Sequence, residues 1–169
     1  MAGWRNSALI ALLILIAGLI FWVNKKEKQG NTGKVIQHCL DCKWLSLDSA
    51  ASAPYLAEDG EFQVIVYSRN LTWDLATFNL DWKEVSEKFP QIDITFYYGG
   101  KSESKLIEWM KEKEFSFPVV FDPEDSFRKR NLEGNMSGIV LNVQDGKVIS
   151  MLNPSFGEEY EVFLKGWME

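Results

Sequence analysis

Phe117-Pro118-Val119-Val120-Phe121-Asp122-Pro123-Glu124-Asp125-Ser126-Phe127, followed a short loop later by Gly138-Ile139-Val140-Leu141-Asn142-Val143-Gln144-Asp145-Gly146-Lys147-Val148, decides how this chain folds. The apolar run Phe117 to Phe121 predicts a short buried strand. Asp122-Pro123-Glu124 then predicts a short helix by the logic of an acidic cap with proline in the first turn, Phe127 facing inward. Ile139 to Val143 and Lys147 to Leu152 flank Gln144-Asp145-Gly146, and Asp-Gly between two apolar runs predicts a hairpin.

Working upstream, Phe62 to Tyr67 is a β-branched run suited to a strand buried on both faces. Leu75, Phe78, Trp82, Val85 and Phe89 recur at three- and four-residue steps and predict an amphipathic helix over 74–89, closed by Pro90. Ile92 to Tyr98 is a second strand ended by Gly99-Gly100, and Leu106, Ile107 and Met110 mark a helix over 102–114. Downstream, Tyr160, Phe163, Leu164 and Trp167 mark the inner face of a last helix. Strands separated by helices require parallel crossovers, whereas the hairpin is antiparallel, so the expectation is an α/β fold with a mixed sheet flanked by helices on both faces.

The quoted stretch resembles the second half of the membrane-tethered thioredoxin-like thiol oxidoreductases and their peroxiredoxin relatives, which carry a Phe-Pro-Val strand, an Asp, a short helix and an Asp-x-x-Gly hairpin. The resemblance extends over roughly 61–168. It implies a thioredoxin-like fold and a domain facing the periplasm or an equivalent oxidising space. In that family the first core strand leads into a helix whose N-terminus bears C-x-x-C, where the helix dipole lowers a thiol pKa. Here the junction reads Ser68-Arg69-Asn70-Leu71-Thr72-Trp73-Asp74 and has no cysteine. The family's proline ahead of the hairpin is also missing, its place falling near Met136. No other side chain at the junction forms the mixed disulfide that thiol-disulfide exchange needs.

The two cysteines of the chain stand instead at Cys39 and Cys42, about twenty residues ahead of that strand, in His38-Cys39-Leu40-Asp41-Cys42-Lys43. Three readings are open: a local disulfide or free thiols holding the segment; a redox pair in which Cys39 attacks and Cys42 resolves; or a metal site in which His38, Cys39 and Cys42 need a fourth ligand from Asp41, Asp48 or a partner. No metal or other cofactor is expected. A c-type haem attachment would need a histidine after Cys42, and the single histidine leaves serine hydrolase chemistry without a base. Asp122, Glu124 and Asp125 are read as helix capping and a solvated first turn. Trp82, Trp109 and Trp167 are read as packing residues, and Trp73 as a contact residue at the junction.

At 169 residues, with 46% apolar and 14% aromatic content, the chain supports one core plus an appendage. The appendage is the uncharged run 7–23, roughly 25 Å long as a helix, with Trp4 and Trp22 suited to the two interfaces and Leu12, Leu15 and Leu19 to the lipid. No small-x-small cleavage signal follows it. The organisation expected is a transmembrane anchor over 1–23, a polar tether over 24–33, a Cys-containing lead segment over 34–60 and a thioredoxin-like domain over 61–169. Lys25, Lys26 and Lys28 after the anchor argue for a cytoplasmic domain by the positive-inside count; the resemblance argues for an exocytoplasmic one. From Lys34 on, fourteen Lys and Arg face twenty-three Asp and Glu, an acidic balance that excludes nucleic acid as a partner.

The sequence thus favours a membrane-anchored, catalytically degenerate binding protein, docking on a membrane or envelope complex through Arg69, Asn70, Leu71, Thr72, Trp73 and Asp74. The alternative is an oxidoreductase using Cys39 and Cys42.

Overall fold

The computed structural model describes residues 12, 14–16, 31–48, 62–71, 80–134, 136–152 and 157–168. Strands β1 (Lys43–Leu45), β2 (Phe62–Ser68), β3 (Asp93–Tyr98), β4 (Val119–Phe121), β5 (Gly138–Gln144) and β6 (Lys147–Leu152) form one sheet in the order β1-β4-β3-β2-β5-β6. The pairs β2–β3 and β3–β4 are parallel, while β1–β4, β2–β5 and β5–β6 are antiparallel, as the element order required. At the hairpin Asp145 and Gly146 both hold positive φ, 50° and 70°, the geometry of a two-residue turn that matches strand twist.

Alternation along the strands sends side chains to two cores. Val64, Val66, Phe96, Tyr98 and Val119 pack under helices α1 (Trp82–Lys88), α2 (Glu103–Glu112) and α4 (Gly157–Met168), against Trp82, Leu106, Met110, Tyr160 and Leu164. Ile65, Tyr67, Tyr97, Val120 and Leu141 pack on the other face beneath α3 (Ser126–Asn131) and the lead segment, against Phe127, Ile36 and Cys39. Trp109 is buried as expected, and Trp167 is half-buried edge-on to Phe62.

Three expectations are corrected. The helix expected over 74–89 starts, among the described residues, only at Trp82 as α1, where the Asp81 carboxylate caps it by accepting from the Glu84 amide at 3.0 Å; residues 74–79 lie outside the described residues. The short helix does not start at Asp122; it starts at Ser126, after a turn closed by the Asp125 amide on the Asp122 carbonyl at 2.9 Å. Of the turn expected to be solvated, Glu124 is exposed, but Asp122 is 1% and Asp125 7% exposed.

The lead segment is built into the sheet. Gly33 and Ile36 amides donate to Val148 and Gly146 carbonyls at 2.7 and 2.8 Å, and Val35 bridges Lys147 beside β6. The chain then crosses the α3 face and ends as β1, with Lys43 opposite Phe121 of β4. Midway, the Asn131 side chain imitates a strand partner: its Oδ1 accepts from the Gln37 amide at 2.7 Å and its Nδ2 donates to the Gln37 carbonyl at 2.9 Å.

Among the described residues no helix is long and apolar enough to cross a membrane. Of the expected anchor, Leu12 and Leu15 are described and exposed, whereas Trp4, Leu19 and Trp22 lie outside the described residues.

Candidate functional site: a displaced disulfide and a closed junction

Strand β2 ends at the junction where the resemblance would put a thiol. Ser68 is fully buried, and its hydroxyl accepts from the Asn70 amide at 3.2 Å. The Arg69 amide donates to the Ser137 carbonyl at 2.7 Å, tying the junction to the loop before β5. Over this point Asp125 gathers three groups. Tyr67 Oη donates to its Oδ1 at 2.5 Å, Arg128 Nε donates to its Oδ2 at 2.6 Å, and Arg69 Nε lies 3.7 Å from the same oxygen. Burial, reinforced by the Asp125 carboxylate, pushes the Tyr67 hydroxyl far above the ordinary phenol range. Gly99 permits the cluster, because a Cβ there would stand 2.9 Å from Asp125 Oδ1 and 3.0 Å from Tyr67 Oη. Leu71 packs on the helical core, and Thr72, Trp73 and Asp74 of the expected docking surface lie outside the described residues.

Cys39 and Cys42 are joined, with an S–S distance of 2.01 Å and a Cα–Cα distance of 5.4 Å. Their turn is seated on Tyr97 of β3. His38 Nδ1 lies 2.9 Å from Tyr97 Oη, the Cys39 amide donates to the same oxygen at 3.4 Å, and the Tyr97 ring stacks on Phe127 at 4.2 Å. Burial holds the Tyr97 hydroxyl well above its usual range, the Cys39 amide opposing in part. Cys39 is 7% exposed and Cys42 half-buried. Cys42 is therefore the more accessible residue of the pair and Cys39 the buried one.

A third group completes the site. A carboxylate oxygen of Asp122 and the two sulfurs all lie within 4.8 Å of one another. Asp122 is held there because it directly follows β4, beside the start of β1, and its Oδ2 accepts from the Phe127 amide at 2.7 Å. The site opens to a groove of about 450 Å³ that includes Phe121, Glu103 and Arg130. On one flank Lys43 Nζ pairs with Glu103 Oε1 at 2.5 Å. Sequence reasoning missed Asp122 as a neighbour of the sulfurs, and its only trace was an aspartate closing an apolar strand. His38, offered as a metal ligand by the sequence, is not in this cluster, since Tyr97 engages its ring.

The pair is seated on Tyr97 of β3 and beside the end of β4, one and two places from β2 in the sheet. Two arrangements stand on this side of the sheet: the buried Asp125 cluster at the end of β2, bordered by a groove of about 330 Å³ that Arg69, Gly99 and Lys101 help to line, and the disulfide near the end of β4.

No protein-family model matches the chain, and no curated protein matches it in sequence. Solved structures match its fold. A peroxiredoxin Q from Xylella fastidiosa aligns with a TM-score of 0.57 at 19% identity, over 82% of this chain and 98% of that one. A peroxiredoxin Q from Xanthomonas campestris aligns at 0.51 and 17%, over 64% and 80%. StoA from Bacillus subtilis aligns at 0.50 and 13%, over 66% and 84%. These likenesses show that the chain shares the thioredoxin-like fold.

Proposed function

We propose that this chain is a thiol-disulfide oxidoreductase whose working pair is Cys42 and Cys39, moved from the usual junction to the end of β4. The observation that carries the reading is the asymmetry of the pair. One cysteine is half-exposed on a groove, the other is buried on Tyr97, and a carboxylate stands within 4.8 Å of both sulfurs. In the reductive direction the Cys42 thiolate attacks a substrate disulfide, forming a mixed disulfide and expelling one substrate thiolate. Cys39 loses its proton to Asp122 and attacks the Cys42 sulfur, which releases the second substrate thiolate and restores the Cys39–Cys42 bond. The two released thiolates take up one proton from Asp122 and one from solvent, so the substrate gains two electrons from the cysteine pair and two protons in all. Peroxiredoxin likeness supports a redox setting without defining the substrate.

A purely structural disulfide is a weaker explanation. A bridge across three residues stabilises by only about 2 kcal/mol in the loop-entropy account. The segment it closes is already fixed by Asn131, Tyr97 and the backbone bonds to Gly146 and Val148.

The test is a trapping experiment on the full-length chain. Cys39→Ser should accumulate a mixed disulfide through Cys42, and Cys42→Ser should accumulate none. Equal trapping by both variants, or none by either alongside a wild-type pair inert to dithiols, would remove the reading. A second reading is then favoured by the buried, cysteine-free Tyr67–Asp125–Arg128 cluster: a membrane-anchored, catalytically degenerate accessory protein, docking on an envelope complex through the face around Arg69 to Asp74. The uncharged run 7–23 supports tethering under both readings, with the acidic domain on the exocytoplasmic side.

A further inference from the structure

We propose that the reduced chain binds a divalent thiophilic cation of the zinc class through Cys39 Sγ, Cys42 Sγ and one carboxylate oxygen of Asp122, leaving a fourth position open to the groove. The inference rests on the preceding reading in one respect: the pair must be reducible while the chain is folded.

The geometry needs little rearrangement. Bond lengths of about 2.3 Å to sulfur and 2.0 Å to oxygen put tetrahedral ligand atoms roughly 3.5 to 3.8 Å apart. The three candidate atoms already lie within 4.8 Å of one another. Breaking the 2.01 Å bond frees the sulfurs to separate by side-chain rotation, and two residues between cysteines is a common zinc-ligand spacing. Electrostatics points the same way, because Asp122 is 1% exposed and two thiolates beside it would add buried negative charge that a divalent cation neutralises. The carboxylate is also oriented in advance by the Phe127 amide on Oδ2, the kind of outer contact that fixes a ligand. The protein supplies three ligands, which is the arrangement of an open site.

An external dithiol gives two electrons and two protons to the disulfide and is itself oxidised to a disulfide. The cation then displaces two protons from the thiols, so the reduced chain plus M²⁺ yields the bis-thiolate complex and two protons.

The experiment reduces the full-length chain with a water-soluble phosphine, removes the reagent without air, counts free thiols and titrates with Co²⁺, then competes with Zn²⁺. Two released thiols, a sulfur-to-cobalt charge-transfer band saturating at one equivalent, and its loss on adding Zn²⁺ are expected. Asp122→Asn should weaken Co²⁺ binding about tenfold or more. Cys42→Ser, at the less buried position, should abolish the band even if the Asp122 variant folds poorly. Two free thiols without a band would overturn the metal site alone. A disulfide that resists reduction in the folded chain would overturn this inference together with the redox reading. A band unchanged in Asp122→Asn would overturn the three-ligand assignment.

Discussion

Asp122 and Asp125 are three residues apart in sequence, and each is buried for a different reason. Asp125 is satisfied by a phenol and two guanidiniums, so removing its charge leaves Arg128 with the Gly134 carbonyl but no counter-charge, in a site where Asp125 is 9% and Arg128 17% side-chain exposed. Asp125→Asn should cost about 2–3 kcal/mol, read from denaturant midpoints, and Tyr67→Phe should cost less because only one bond is lost. Asp122 faces sulfur instead. The sequence marked both as acidic residues around a helix start and could go no further, because Asp122 is covered beside β1 and the cysteines and Asp125 by Tyr67 of β2, all distant in the chain. Tyr97 is the other residue that periodicity alone undersold. It was legible as an inward strand residue, but its hydroxyl supports both His38 and the Cys39 amide. Tyr97→Phe should therefore leave the Cys39 amide without its partner, cost about 1–3 kcal/mol, and speed reduction of the disulfide by a dithiol.

At the scale of elements, the β5–β6 hairpin was the most legible part, since Asp145-Gly146 announces a turn whose two residues take positive φ. Gly146→Ala should cost about 1–2 kcal/mol, the usual penalty for a side chain in left-handed backbone, measurable by thermal or denaturant melts. Core strands and α2 were equally readable, because hydrophobic period follows burial. What escaped was β1. Three residues with Trp44 turned outward carry no alternation to read, and their pairing with β4 is a long-range event. The displaced disulfide was visible as a spacing, yet its setting was not, because that is made by β3, β4 and α3 together. Asn131→Ala should loosen this setting without touching sulfur. It removes both bonds to Gln37 and one of 2.8 Å to the Phe127 carbonyl, and amide hydrogen exchange at Gln37 should accelerate while the β2 and β5 amides stay protected.

For the whole molecule, the buried phenols set an alkaline limit. Burial raises Tyr67, Tyr97 and Tyr160 above the ordinary value of about 10. In the unfolded chain these groups lose protons near that pH, whereas in the folded chain they keep them. The unfolded state then binds fewer protons, so stability present below about pH 10 falls as pH rises above it. Denaturant midpoints taken at about pH 8 and pH 11 should show the drop, and Tyr160→Phe should reduce it. A flat profile would mean that the phenols ionise without unfolding.

The lead segment has a wider consequence. By bridging β6 at one side and adding β1 at the other, residues 31–45 occupy both margins of the sheet. Unpaired strand margins are templates for another chain, and proteins that leave them bare tend to associate. A fragment starting at Phe62 would lose this cover on two sides at once, so the stretch that holds the cysteines also acts as a guard against aggregation.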